Sequence, residues 1–106
     1  MKDLLDGKLL LVGAGKMGGA MLEGWLSRGL DAGDVIVQDP APPPEVASML
    51  AARGVKRVDQ VGEGDLDGAP AVILMAVKPQ VMEDVFPGVA PFAGPSTVTL
   101  SVAAGK

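Results

Sequence analysis

Five short segments of this 106-residue chain are predicted to be strands, and they alternate with stretches of helical spacing. These segments cover residues 8–12, 35–38, 55–58, 71–77 and 97–102. The first is a continuous apolar run after Lys8, which is typical of a strand buried on both faces of a parallel sheet. The segment at 71–77 predicts the clearest strand, and the segment at 55–58 predicts the weakest.

Three segments between these strands are predicted to be helices. The first covers residues 17–28, and one of its stripes consists of Met17, Ala20, Met21 and Gly24. Pro44 fits the first turn of a helix over 44–53, where its missing N–H costs no hydrogen bond. The third helix covers residues 79–86, and we expect Pro87 to end it because proline cannot continue the helical hydrogen bonding.

The predicted order is strand, helix, strand, helix, strand, loop, strand, helix, strand, with residues 59–70 as the loop. Strands that alternate with helices imply parallel pairing and helices on both faces of one sheet. We therefore predict a doubly wound α/β fold with a mainly parallel sheet of about five strands in the order 3-2-1-4-5. The length fits one domain spanning residues 1–106.

Composition and charge exclude several classes of function. Hydrophobic residues make up 48% of the chain and aromatic residues 3%, so the core is expected to be aliphatic. The net charge of −4 and the lack of a basic cluster argue against a nucleic-acid partner. The chain has no cysteine and no histidine, which excludes disulfides, thiolate catalysis and the commonest metal ligands. Because no apolar stretch is long enough for a signal peptide or a membrane span, we expect a cytoplasmic protein.

The first predicted strand leads directly into a glycine-rich turn of the pattern G-x-G-x-x-G, formed by Gly13, Gly15 and Gly18. In such a turn the first glycine allows the tight bend, the second lets a pyrophosphate approach the backbone, and the third allows close helix packing. The start of the following helix offers unpaired N–H groups to phosphate. Between an apolar strand and a helix, the pattern indicates a Rossmann-type dinucleotide site. The alternative is a turn that binds nothing.

Asp39 lies at the end of the second predicted strand, 21 residues after Gly18. An acid at about this spacing accepts hydrogen bonds from the adenosine ribose in dinucleotide sites, and it would repel the 2′-phosphate of NADP. Asp39 therefore favours NADH. One alternative is an Asx turn before Pro40. Another is that a basic side chain binds the 2′-phosphate, the candidates being Arg53, Lys56 and Arg57.

Two further loops follow the fourth and fifth predicted strands. In an open α/β sheet, ligands bind outside the carboxyl ends of the strands, where the strand order reverses. Lys78 in the first loop is either a contact to the ribose or phosphate of a cofactor or a solvated lysine. The small residues of 101–105 in the second loop would let a flat nicotinamide approach the backbone, or they form an ordinary turn.

The three motifs together resemble those of pyrroline-5-carboxylate reductase. They are VGAGKMGGA at 12–20, AVKPQ at 76–80 and SVAAG at 101–105. Their order and spacing are similar to those of that family over essentially the whole chain. Many dehydrogenases share the turn motif, whereas the two later motifs together are far more specific.

The resemblance implies an oxidoreductase of proline biosynthesis that reduces 1-pyrroline-5-carboxylate to L-proline with NAD(P)H, by hydride transfer from the nicotinamide C4 to the imine carbon. It also implies cofactor contacts at the residues that match the family's motifs. These residues are Val12, Gly13, Ala14, Gly15, Lys16, Met17 and Gly18 at the pyrophosphate, Asp39 at the adenosine ribose, Ala76, Val77, Lys78 and Pro79 near the second ribose and nicotinamide, and Val102, Ala103 and Ala104 beside the nicotinamide.

Two features depart from the family's pattern. Asp39 replaces a small polar residue that the family frequently carries, which moves the expected preference from NADPH towards NADH. Members of the family are longer, and their helical C-terminal domain forms the homo-oligomer and most of the substrate pocket. We therefore expect no catalytic residue and no metal site in this chain, and no activity of the chain alone. The last strand is expected to expose apolar surface and to promote self-association.

Two other functions stay open. One is another reductase with the same nucleotide fold, of the 6-phosphogluconate, ketol-acid or deazaflavin-dependent NADP type, against which the motif at 101–105 argues. The other is a non-catalytic NAD(P)-binding regulatory module, which the short length and the lack of acid–base residues favour.

Overall fold

Five strands form one parallel sheet in the computed structural model, which describes residues 7–62, 64–66 and 68–102. The strands are β1 (Leu9–Val12), β2 (Val35–Gln38), β3 (Lys56–Val58), β4 (Val72–Met75) and β5 (Val98–Ser101). Their order in the sheet is β3-β2-β1-β4-β5, and every neighbouring pair is parallel. The predicted doubly wound α/β fold, strand order and loop position are therefore confirmed.

Three helices connect the strands, namely α1 (Lys16–Ser27), α2 (Pro44–Arg53) and α3 (Pro79–Val89). Short 3₁₀ helices at Ala32–Asp34 and Ala90–Phe92 lead into β2 and follow α3. Helix α2 begins at Pro44 as predicted and is followed by Gly54, which has a left-handed φ of 74° that terminates the helix.

The sheet separates two apolar cores because side chains of a strand point alternately to its two faces. Leu9 and Leu11 of β1 pack with residues of α1 and α2, including Leu22 and Leu50. The other core consists of Leu10, Val12, Ile36, Val61, Leu66, Ile73, Met75 and Val89. All four residues of β1 and of β2 are buried, which explains why their sequences are continuous apolar runs instead of alternating ones.

The stripe of Met17, Ala20, Met21 and Gly24 is not the buried face of α1, although Met21 packs against the core. The buried residues are Gly18, Gly19 and Leu22. A Cβ placed on Gly19 would lie 2.9 Å from Cγ2 of Val46 in α2, and one on Gly18 would lie 2.6 Å from the Gly13 carbonyl oxygen. The two glycines thus set the orientation of the helix through close backbone approach, which side-chain periodicity does not report.

Helix α3 continues past Pro87 to Val89, contrary to prediction. Proline has no N–H, so Pro87 cannot donate the helical hydrogen bond to the carbonyl of Glu83, which is an exposed residue. Val89 is completely buried in the core on this side of the sheet. Burial of a valine side chain contributes about 1.5–3 kcal/mol, which offsets much of the cost of the proline.

The loop between β3 and β4 is attached to the sheet by two polar contacts. The buried Gln38 accepts a hydrogen bond at its Oε1 from the Val61 N–H (2.8 Å). Asp65 accepts from the Gly62 N–H (2.7 Å) and pairs with Lys56 Nζ (2.8 Å). The Lys56 ammonium and the Gly62 N–H together hold the pKa of Asp65 below its ordinary value of 3.8.

Strand β5 forms an edge of the sheet and is exposed along its length. The residues Val98 and Leu100 are 52% and 50% exposed, which confirms the apolar surface expected there. Within the described residues, no helix has the length and apolarity that crossing a membrane requires.

Candidate nucleotide-binding site

The glycine turn leaves β1 at the carboxyl edge of the sheet, between β2 and β4, where the strand order reverses. It is attached to both neighbours. The Gly13 N–H donates to the Gln38 carbonyl oxygen (2.9 Å), and the Ala76 N–H donates to the Val12 carbonyl oxygen (2.8 Å). This is the position at which open α/β sheets bind ligands.

Gly13 is required by the fold itself. Its φ is +93°, a conformation that residues with a Cβ rarely adopt. A Cβ at Gly13 would lie 2.5 Å from Cγ1 of Val77 and 2.6 Å from the Ala76 carbonyl oxygen. The turn therefore packs directly against the loop that follows β4, and this contact brings the first two motifs together.

Gly15 differs from Gly13 because the folded chain does not require a glycine there. Its φ is −75°, and a Cβ at this position would have no atom within 4 Å beyond those of Gly15 and its two chain neighbours. The open space lies at the start of α1, which has no acidic residue in its first turn and whose N-cap, Gly15, has no side chain to accept from its N–H groups. The N–H groups and partial positive charge of this helix end suit an anion that approaches over Gly15.

The Asp39 carboxylate is held against the turn. Its Oδ2 accepts a hydrogen bond from the Ala14 N–H (2.7 Å), and its Oδ1 accepts from the Ala41 N–H (2.9 Å). The second bond is the Asx turn that the sequence left open as an alternative. Each carboxylate oxygen retains a further lone pair, so a contact to ribose hydroxyls remains possible and stays a prediction.

The loop after β4 presents residues of decreasing burial. Ala76 is buried, Val77 is half-buried, and Lys78 and Pro79 are exposed at the start of α3. The Lys78 carbonyl accepts hydrogen bonds from the first turn of α3, while its side chain makes no hydrogen bond or ion pair within the described residues. The side chain of Lys16, at the start of α1, is likewise exposed and without such a partner among them.

The end of β5 reaches the same edge of the sheet. The Val102 N–H donates to the Met75 carbonyl oxygen (2.9 Å), so this residue lies next to the end of β4. Ala103 and Ala104, which were also predicted to contact the nicotinamide, lie outside the described residues. The predicted residues that contact one another directly through the turn are Val12, Gly13, Ala14, Gly18, Asp39, Ala76 and Val77. Gly15, Lys16, Met17, Lys78, Pro79 and Val102 adjoin this group along the chain or at the sheet edge.

Gln38 is a part of the site that sequence reasoning missed. Its carbonyl receives the Gly13 N–H, and its buried side chain receives the Val61 N–H, so one residue joins the glycine turn to the β3–β4 loop. A glutamine at a strand end ordinarily contacts solvent, and the sequence therefore carries no signal for this role. Among the described residues, no group of three or more carboxylates is arranged to hold a metal ion.

Known proteins are similar to this chain in sequence and in fold. Residues 8–105 match the model of a family described as NADP oxidoreductase coenzyme F420-dependent. A curated pyrroline-5-carboxylate reductase of Pasteurella multocida (strain Pm70) is 31% identical over 99 residues, which cover 92% of this chain. The solved structure of SirC, a precorrin-2 dehydrogenase, matches all of this chain with a TM-score of 0.66 at 23% identity, a likeness that shows the fold alone.

The chain spans 35% of the length of that curated reductase and 50% of the SirC chain. The resemblance to pyrroline-5-carboxylate reductase, predicted from three motifs, is confirmed by the curated relative, and the Rossmann-type fold is confirmed by the structural match. Since the family model covers nearly the whole sequence, the chain belongs to the family of NADP oxidoreductases described as coenzyme F420-dependent and is an NAD(P)-binding oxidoreductase domain.

Proposed function

We propose that this chain is the cofactor-binding part of a reductase that converts 1-pyrroline-5-carboxylate to L-proline. The observation that carries the nucleotide part is the open space over Gly15 at the start of α1, at the edge where the strand order reverses. The choice of reaction rests on the motifs at 76–80 and 101–105 and on the name of the curated relative.

The pyrophosphate of the cofactor would lie over the glycine turn. Gly15 leaves room for it, and the N–H groups at the start of α1 would donate to its oxygens. The exposed ammonium of Lys16 would add a positive charge beside it. Val12, Gly13 and Gly18 would act by holding the turn in this shape. Asp39 would accept hydrogen bonds from the adenosine ribose, which favours NADH slightly.

The nicotinamide would lie at the carboxyl ends of β4 and β5. A bound reduced nicotinamide supplies a hydride from C4, which reduces the imine carbon of the substrate. Ala76 is small and buried, and Val77 packs on Gly13. The start of the loop after β4 is therefore close to the glycine turn and would exclude water from one side of the nicotinamide ring. Lys78 would contact the adjoining ribose or phosphate, and residues 102–104 would line the other side. The chain has no histidine, cysteine or tyrosine, and we assign no proton donor to it.

A second candidate is electron exchange between NADP and the deazaflavin coenzyme F420, which the description of the matching family favours. The glycine turn would act in the same way in both reactions. The two differ in the second reactant, a cyclic imine or a deazaflavin.

Nucleotide binding is tested by calorimetric titration of NADH and NADPH, separately, into the 106-residue chain, whose folded state is followed by circular dichroism. We expect saturable binding of at least one nucleotide. A folded chain that binds neither would contradict the proposed site.

The reaction is tested with a chimera in which residues 8–102 of this chain replace the matching segment of the Pasteurella multocida reductase. We expect this chimera to oxidise NAD(P)H in the presence of 1-pyrroline-5-carboxylate. A chimera that folds and binds the nucleotide without oxidising it would contradict the proposed substrate. Reduction of coenzyme F420 by NADPH with the unaltered chain would then support the second candidate.

A further inference from the structure

Three basic residues lie in the two elements that follow Asp39 in the chain, Arg53 at the end of α2 and Lys56 and Arg57 in β3. Their side chains make different contacts. Arg53 points to α1, where its Nη2 donates to Ser27 Oγ (3.1 Å) and lies 3.9 Å from Glu23 Oε2. Lys56 pairs with Asp65 in the β3–β4 loop. Arg53 is therefore engaged at α1, and the charge of Lys56 is neutralised by Asp65.

Arg57 is directed to the end of β2. Its Nη1 donates to the Asp39 carbonyl oxygen (2.8 Å) and to Asp59 Oδ1 (3.0 Å). The strand pairing explains this placement, because Arg57 pairs with Val37, two residues before Asp39 in the adjacent strand. The guanidinium thus lies at the residue that faces the adenosine ribose in dinucleotide sites of this type.

The guanidinium retains the capacity to bind an anion. It has five N–H donors in a planar arrangement that suits phosphate oxygens, and the two contacts described engage one of its nitrogens. The side chains of Arg57 and Asp59 are 36% and 77% exposed, so their ion pair is solvated and weak. A phosphate group could therefore take the place of the Asp59 carboxylate.

Opposite charges lie on the two sides of the Asp39 backbone, its own carboxylate on one side and the Arg57 guanidinium on the other. Its carboxylate is directed to the N–H groups of Ala14 and Ala41, whereas its carbonyl is directed to the Arg57 guanidinium. A ribose hydroxyl is compatible with the carboxylate alone. A 2′-phosphate would be repelled by the Asp39 carboxylate and attracted by the Arg57 guanidinium on the other side of the residue.

We infer that Arg57 is the residue that allows this site to accept the 2′-phosphate of NADPH beside a carboxylate that favours NADH. The inference rests on the proposed nucleotide site. It assigns the choice between the two nucleotides to Asp39 and Arg57 together, and it predicts that the unaltered chain binds both.

The experiment compares the dissociation constants of NADH and NADPH for the unaltered chain, Arg57→Gln and Arg57→Lys. Arg53→Gln serves as the matched control, because it removes a neighbouring exposed arginine that points to α1. We expect Arg57→Gln to weaken NADPH binding by about 10-fold, the low end of the range for one charge-assisted hydrogen bond because Arg57 is partly exposed, and to change NADH binding less than about twofold. Arg57→Lys should retain part of the NADPH affinity, and Arg53→Gln should change neither constant.

Equal weakening of both nucleotides by Arg57→Gln would overturn the inference, since Arg57 would then act by holding the end of β2. Unchanged NADPH binding in that variant would overturn it as well. Failure of the unaltered, folded chain to bind either nucleotide would instead overturn the proposed site on which the inference rests. Thermal unfolding of each variant distinguishes a lost contact from a lost fold.

Discussion

Replacement of Gly15 by alanine separates nucleotide binding from folding, because the folded chain leaves the space beside this residue empty. Its φ of −75° is accessible to alanine. Alanine at a helix N-cap costs up to about 1 kcal/mol relative to glycine, while the less flexible unfolded chain offsets about 0.4–1 kcal/mol. We therefore expect the free energy of unfolding to change by less than about 1 kcal/mol.

The same methyl group would occupy the space in which a pyrophosphate approaches the backbone. Loss of one charge-assisted hydrogen bond, about 1.5–3 kcal/mol, weakens binding about 10- to 150-fold. Calorimetric titration with NADH and NADPH measures this loss, and urea unfolding followed by circular dichroism measures the stability. Gly24→Ala is the matched control, since it adds a methyl group to open space in the middle of α1. It should raise the stability by about 0.5–1 kcal/mol and leave binding unchanged.

Three results would refute this reasoning. A Gly15→Ala variant that binds both nucleotides as tightly as the unaltered chain would show that the cofactor does not lie over the turn. A variant that unfolds would show that Gly15 is required by the fold, against the open space beside it. Equal loss of binding in Gly24→Ala would mean that the effect arises from the helix and not from its start.

Three further substitutions test the stability of the chain and its self-association. Gly13→Ala should destabilise the chain by about 2–4 kcal/mol in urea unfolding, because the methyl group would meet Val77 and the φ of +93° disfavours alanine; a smaller loss would mean that the turn relaxes. Asp65→Asn should be less stable than the unaltered chain at neutral pH. The difference in the free energy of unfolding should disappear as pH falls below 3.8, because the carboxylate with the lowered pKa stabilises the fold only while it is ionised. A difference in stability that is independent of pH would contradict this. Leu100→Lys should reduce self-association, measured by light scattering at high concentration, because it places a charge on the exposed edge strand. Ala20→Lys, at an exposed position of α1, should not reduce it. Equal effects of the two variants would mean that net charge alone is responsible.

The two central strands β1 and β2 were predictable because burial on both faces leaves a direct signature in the sequence. β1 and β2 are apolar at every position, apart from Gln38, since each face of the sheet has its own core. Helix bounds were less predictable because they depend on distant partners. The end of α3 is determined by the burial of Val89 and not by Pro87. The orientation of α1 is determined by Gly18 and Gly19, which have no side chain to form a periodic pattern.

The site was predictable to the extent that spacing alone determines it. Three glycines between an apolar strand and a helix predicted the turn, and the structure gives a steric reason for Gly13 and Gly18. The directions of polar side chains were not predictable, because they depend on strands that are distant in sequence. The contact of Arg57 with Asp39 requires the pairing of β3 with β2.

The position of Asp39 shows why an acid at the end of β2 is incomplete evidence for NADH. Its carboxylate accepts the Ala14 N–H, so it helps to fix the glycine turn whichever nucleotide is bound. Removal of the carboxylate to admit a 2′-phosphate would leave that N–H without its partner and would loosen the turn that holds the pyrophosphate. A cation on the opposite side of the same residue avoids this conflict, because it neutralises the phosphate while the carboxylate stays in place. Arg57 has this position, and the preference between nucleotides is therefore expected to depend on the balance of the two charges more than on the acid alone.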